Sequence, residues 1–174
     1  MLYNYINVTI NQTSFIFASL YGPNNDDQSF CHNFLSLLRD TTNIIIAGDL
    51  NTVISPKWTA QTYKITQKNC HTTDIIKLYM DHFGLGDSWR LSNPSSRGYT
   101  YFSSHHQSFS KIDFILRSNS LTQQITETTI HPILINDHAP ISLTQSIECN
   151  IKPFKNGTLI NFNNPPRPRF CKFH

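Results

Sequence analysis

The sequence predicts a layered α+β or α/β domain, on three observations. Ile44-Ile45-Ile46-Ala47 is a β-branched run that suits a strand buried on both faces of a sheet. The order strand, helix, strand that leads into it is that of a crossover unit. The apolar runs on either side end in Gly, Pro, Asn or Asp, as strands do. With 174 residues, 39% hydrophobic and 12% aromatic, the chain has the length of one domain and enough apolar mass for a core.

Taken in order, residues 5–10 alternate, with Tyr5, Asn7 and Thr9 on one face and Ile6, Val8 and Ile10 on the other, which predicts a half-buried strand. Asn11-Gln12-Thr13-Ser14 is the turn. Phe15 to Tyr21 is a nearly all-apolar interior strand that pairs with the first as a hairpin and ends at Gly22-Pro23-Asn24. Asn25, Asp26 or Asp27 can cap a helix whose Phe30, Phe34, Leu37 and Leu38 form one stripe facing the sheet. In the isoleucine strand that follows, Gly48 permits a sharp turn and leaves Asp49 and Asn51 at the rim of the sheet. Taken alone, this end reads first as a strand followed by an Asx turn.

Residues 52–71 are polar and aperiodic, a long loop of the kind compact domains keep for function. Thr73-Asp74 opens a second helix to about Phe83, with Ile75, Ile76, Tyr79 and Phe83 inward, closed off by Leu85-Gly86-Asp87-Ser88-Trp89. Tyr99-Thr100-Tyr101-Phe102 is a short aromatic strand. Phe109 to Leu116 is a longer strand with Asp113 set among apolar residues. By period Asp113 faces away from Ile112 and Phe114, so it is either exposed or, if buried, hydrogen-bonded or metal-paired. After an apolar stretch at 129–135, Asn136-Asp137-His138-Ala139-Pro140 turns into a final strand at 141–147. Residues 149–174 form an irregular basic tail rich in Pro and Arg, outside the domain at 1–148.

Charge and cysteine usage exclude several classes. A net charge of +3 is compatible with a polyanionic partner without demanding one, and the basic residues crowd the last stretch, from Lys152 to Lys172. The 4 cysteines lie far apart with no C-x-x-C pair, which speaks against a zinc ribbon or a disulfide framework. Cys31-His32, Cys70-His71 and His105-His106 have no zinc-ligand spacing, and no G-x-S-x-G elbow marks a serine hydrolase. Three Asn-x-Thr triplets, at Asn7, Asn11 and Asn156, are of the kind that arise by chance in an Asn- and Thr-rich chain. The first residues carry neither a basic nor an apolar leader segment, and no stretch approaches the roughly 20 apolar residues of a membrane span, so an intracellular protein without membrane contact is expected.

Four polar stations stand at strand ends or turns: Tyr21 with Asn24, Asp49 with Asn51, Ser110 with Asp113, and Asp137-His138. Gly48-Asp49-Leu50-Asn51, Ser110-Lys111-Ile112-Asp113 and Asn136-Asp137-His138 together resemble, in order, the G-D-x-N, S-x-I-D and S-D-H signatures of the endonuclease/exonuclease/phosphatase superfamily. Leu20-Tyr21-Gly22-Pro23-Asn24, Tyr99-Thr100-Tyr101-Phe102-Ser103 and His105-His106 bring the likeness closest to the endonuclease domain of non-LTR (LINE-type) retrotransposons, over residues 5–147.

The resemblance implies the C-terminal part of a four-layer α/β/β/α sandwich with mixed sheets, and a metal-dependent phosphodiester hydrolase that nicks DNA. Asp49 would activate the attacking water, while Asn51, His138 and Tyr21 would contact the phosphate. Asp137 would hold metal or fix the geometry, and Asn24, Thr100, Ser110 and Asp113 would serve the substrate-binding shell. The implied cofactor is Mg²⁺, with Mn²⁺ as a substitute. The implied partners are DNA and a reverse transcriptase region in a longer parent polypeptide, with action on genomic DNA in the nucleus. The family's N-terminal asparagine and metal-binding glutamate have no counterpart here. The first 25 residues hold no Asp or Glu, and the glutamates are Glu127 and Glu148. The expectation is therefore a truncated domain, inactive alone, with an apolar inner sheet face left uncovered. A non-catalytic remnant with residual nucleic-acid binding, or a phosphatase or abasic-site nuclease of the same superfamily, are the alternatives.

Overall fold

The computed structural model describes residues 2–10, 12–25, 27–38, 42–55 and 71–146. Gln12 takes a left-handed backbone, φ 66°, between strands β1 (Leu2–Ile10) and β2 (Thr13–Tyr21). The strands pair antiparallel from Ile10 opposite Thr13 to Leu2 opposite Tyr21. The turn is thus shorter than the sequence predicts, because Thr13 and Ser14 continue the ladder. Helix α1 (Gln28–Ser36) is capped by Asp27, whose Oδ1 accepts from the Phe30 N–H at 3.1 Å. It carries the chain to β3 (Ile44–Asp49), which lies parallel to β2.

Helix α2 (His71–Phe83), β4 (Leu85–Asp87) and α3 (Ser88–Ser92) follow, then β5 (Tyr101–Ser103), β6 (Ser108–Ser110) and β7 (Asp113–Ser118). A 3₁₀ turn at Asn119–Leu121 precedes β8 (Ile125–Ile130) and β9 (Ile141–Gln145). Among the described residues the main sheet has 5 strands in the order β1-β2-β3-β7-β4, with β2 and β3 parallel and the other neighbours antiparallel. Strands β5 and β6 form one hairpin, β8 and β9 another. This is the mixed sheet with helices that the sequence predicts.

One face of the sheet is closed by helices. Phe30, Cys31, Phe34, Leu35 and Leu38 of the α1 region bury against Ile16, Ala18, Leu20, Ile44, Ile46, Phe114 and Leu116. Leu37, expected in the buried stripe, is 43% exposed. The helix end tightens there into i to i+3 bonds, Leu37 N–H to Phe34 O and Leu38 N–H to Leu35 O, which swings Leu37 outward. On the opposite face Phe15, Ile45 and Ile115 meet Leu121 and Leu143, so the β8–β9 hairpin covers part of it. Between Ile6, Phe17, Ala47 and Leu143 a groove of ≈ 340 Å³ is left open.

Three sequence expectations shift. The run from Phe109 to Leu116 is two strands, because β6 pairs with β5 whereas β7 joins β3 and β4. Leu85–Asp87, read as the end of a helix, is an edge strand against β7. The short aromatic strand expected at 99–102 lies at Tyr101–Ser103, where it pairs with β6. Most of the long loop after Asn51 and the basic tail at 149–174 lie outside the described residues. Among the described residues no helix is long and apolar enough to cross a membrane.

Candidate metal and phosphate site

The site begins where β2 and β3 end. Gly48 has φ 153°, and a Cβ there would lie 1.8 Å from the Leu20 carbonyl oxygen, so only glycine lets the strands run this close. A Cβ on Gly22 would meet the Leu50 carbonyl oxygen at 2.5 Å. The two glycines therefore clamp the strand ends together and bring Tyr21 level with Asp49 in the ladder. The Gly22 N–H donates to the Asp49 carbonyl at 2.7 Å, and Asn51 Nδ2 donates to the Gly22 carbonyl at 2.8 Å. Asn51 has φ 49°, a left-handed backbone that asparagine tolerates, and its N–H donates to Asp49 Oδ1 at 2.8 Å. An Asx turn does close the strand, and it holds the carboxylate in place.

On the other side of β3, Asp113 opens β7 directly opposite Asp49 in the antiparallel register. Asp113 Oδ2 lies 2.9 Å from His138 Nδ1. The His138 ring packs against Tyr101, with centroids 4.8 Å apart, and residues 101 and 138 form an isolated antiparallel bridge. Ligand atoms of Asp49, Asp113 and His138 all lie within 4.8 Å of one another, a group that could hold a metal ion. Two carboxylates and an imidazole are donors that suit a divalent cation.

The electrostatics of the three are coupled. Burial pushes the Asp49 carboxyl up from the ordinary range; the Asn51 N–H opposes this, the Asp113 charge adds to it, and His138 works against it. For His138, burial disfavours the imidazolium, but the Asp113 hydrogen bond and the charges of Asp113, Asp49 and Asp137 outweigh it and raise the imidazole.

The remaining predicted residues are placed as follows. Tyr21 stands at the rim, 52% exposed, and Asn24 is exposed beyond it. Asp137, the metal candidate in the sequence, is exposed and outside the three-residue group; Asp113, expected in the substrate shell, is inside it. The reason is local: the Asp137 carbonyl accepts from the Phe102 N–H at 2.9 Å, and with His138 bridged to Tyr101 it is the His138 side chain, not its neighbour, that meets Asp113. Ser110 is half-buried in β6. Thr100 is fully buried, its hydroxyl taken by backbone amides. Glu127, the one glutamate among the described residues, is exposed on β8 and accepts from the Thr129 hydroxyl.

One feature escapes sequence reasoning. Lys111 is fully buried, with Nζ 3.0 Å from Asp87 Oδ2 and 3.5 Å from the Phe114 ring centroid. Burial pushes its amine down to about 8, against the pull of Asp87. Asp87 also caps α3 through the Trp89 and Arg90 amides. Aspartate before Ser88-Trp89 is a legible cap signal, but a lysine partner 24 residues away is not.

Paired carboxylates and an imidazole thus meet at the strand ends of a helix-backed mixed sheet, in a group that could hold a metal ion. Residues 6–142 match the model of the endonuclease/exonuclease/phosphatase family, and the chain belongs to that family. Over 106 residues it is 31% identical to the 149 kDa protein of transposon TX1 from Xenopus laevis, a match covering 60% of this chain and 8% of that protein. Its fold is similar to AP endonuclease LMAP from Leishmania major, with a TM-score of 0.69 and 15% identity over 80% of this chain and 53% of that one. The endonuclease domain of TRAS1, a telomere-specific non-LTR retrotransposon, gives a TM-score of 0.60 at 13% identity, over 84% of this chain and 64% of that one. The chain thus spans a small fraction of the curated relative and between half and two thirds of these solved chains.

Proposed function

We propose that the chain carries the water-activating and phosphate-gripping residues of a metal-dependent phosphodiester hydrolase that nicks DNA, of the retrotransposon type. The observation that carries this reading is the meeting of Asp49, Asp113 and His138 within 4.8 Å at the rim where Tyr21 and Asn51 also stand. Asp49, half-buried and raised, accepts the proton of the attacking water. Asn51, His138 and the exposed Tyr21 phenol donate to phosphate oxygens as charge grows on them. Asp113 holds the imidazole in the orientation this needs. A Mg²⁺ or Mn²⁺ ion on the carboxylate oxygens would neutralise the phosphate and stabilise the leaving oxyanion. DNA as substrate is supported by the basic balance of the chain and by the nucleases among the similar structures. The similarity to a short part of a 149 kDa transposon protein supports work as one module of a longer polypeptide that meets genomic DNA in the nucleus.

Two carboxylates are few for a hard cation with six ligands, and Glu127 stays outside the group. In this reading a further carboxylate comes from polypeptide beyond these residues, and the chain alone is inactive. The same shortage favours the second reading, a non-catalytic remnant with residual nucleic-acid binding. Nicking of supercoiled plasmid in Mg²⁺ decides, using this chain and a form extended at its N-terminus with the strands of a relative; an abasic-site duplex run in parallel tests for a repair-type substrate. The extended form should nick, and Asp49→Ala should slow it roughly 10²- to 10⁴-fold. Nicking that survives Asp49→Ala would defeat the mechanism.

A further inference from the structure

Thr100 is 0% exposed, and its polar atoms are spent on two segments of the site. Its N–H donates to the Ser110 carbonyl at 2.9 Å, and its carbonyl accepts from the Ala139 N–H at 2.7 Å. Its hydroxyl oxygen accepts from both the Ile112 N–H at 3.1 Å and the Asp113 N–H at 3.0 Å. Where the chain leaves β6 for β7, these two amides take a side-chain oxygen in place of a strand neighbour. On the other flank, the Phe102 N–H bonds to the Asp137 carbonyl at 2.9 Å, so residues 137 and 139 are both tied to the Thr100–Phe102 segment and His138 is bracketed between them.

We infer that Thr100 is a positioning residue: one buried side chain and its peptide groups set the separation of Asp113 and His138. The inference rests on reading those two as part of the phosphate site. The 2.9 Å contact between Asp113 and His138 joins residues 25 apart in sequence, on segments that share no continuous strand pairing. Each segment instead hangs from the same residue. The hydroxyl fixes the start of β7, and with it the direction in which Asp113 leaves the backbone. The carbonyl fixes the loop that presents the imidazole. Valine has nearly the shape of threonine and no oxygen, so Thr100→Val removes the acceptor of two amides and keeps the packing. Serine keeps the oxygen.

NMR of the full chain reads the contact directly, as a downfield, slowly exchanging Nδ1 proton on His138. Wild type and Thr100→Ser should show it, and Thr100→Val should lose it. Nicking by the N-terminally extended form should fall about 10- to 100-fold in Thr100→Val and stay within about threefold of wild type in Thr100→Ser. A wild type without the resonance, a Thr100→Val that keeps it, or a serine variant as impaired as the valine one would overturn the inference. If Thr100→Val does not fold, hydrogen exchange of the Ile112 and Asp113 amides in wild type decides. Protection supports the clamp, and exchange as fast as in the exposed 104–107 loop refutes it. Failure of every form to nick DNA would strike the phosphodiesterase reading alone, since both NMR readouts need no activity.

Discussion

On the helix-covered face of the main sheet Phe34, Leu38 and Ile44 are fully buried, while on the opposite face Ile6 of β1 is 59% exposed beside an open groove of ≈ 340 Å³. Both faces are apolar, so composition does not separate them. What differs is where their cover comes from. Helices α1 and α2 stand close in sequence to the strands they cover, and their stripes fit one side. Among the described residues the other side receives only the β8–β9 hairpin, which reaches Phe15, Ile45 and Ile115 and stops short of β1. An apolar sheet face is stable when it is buried against another layer. The solved relatives have similar folds but longer chains, of which this one spans 53% and 64%. The candidate site lies at the ends of strands β2, β3 and β7, which belong to both faces, so it inherits the order of one and the openness of the other.

The contrast is tested hardest on the closed face. Phe34→Ala should destabilise the chain by about 3–5 kcal/mol in urea unfolding, since the ring is fully buried between helix and sheet. A loss below about 1 kcal/mol would mean that this face is not sealed in solution. Next in size is the buried cation at the edge of the same face. Lys111 has a folded value of about 8 against 10.5 for a free lysine. Between those values the unfolded chain holds the proton that the folded chain has released, so stability should rise with pH across that window. Below pH 8 both states are charged and the dependence vanishes. The full rise is of order 3 kcal/mol, and the difference between wild type and Lys111→Met, followed from pH 7 to 10.5, isolates it. A flat difference would show that water reaches the amine.

Much of this was legible because it is local. The isoleucine run, the hairpin before it, the Asp27 cap and the periodic helices each follow from a few neighbouring residues, and the strand-end motifs point to Asp49, Asn51 and His138. What was not legible depends on pairings distant in sequence. Asp113 enters the candidate group with Asp49 and His138 because β7 lies against β3, and the break at Lys111-Ile112 exists because one run serves two sheets. Leu85–Asp87 is too short for any period to show, and only its pairing with β7 makes it a strand. That Asp113 and not Asp137 stands beside Asp49 and His138 has the same origin, since adjacent residues of a motif can point to opposite sides of the chain.

The smallest expected effect lies on the open face, and its smallness is what makes it informative. Ile6 is an apolar side chain on an edge strand, bordering a groove whose other wall is Phe17, Ala47 and Leu143. If nothing covers that wall in solution, Ile6→Ser removes surface that is wet in both folded and unfolded states. Stability should then change by no more than about 0.5 kcal/mol, while binding of an apolar dye should weaken. If a second copy of the chain covers the groove, the same substitution costs more, and its cost grows with protein concentration because association stabilises only the folded state. Urea unfolding of wild type and Ile6→Ser at two concentrations a hundredfold apart separates the cases. A concentration-independent change near zero means that no second copy of the chain covers the groove.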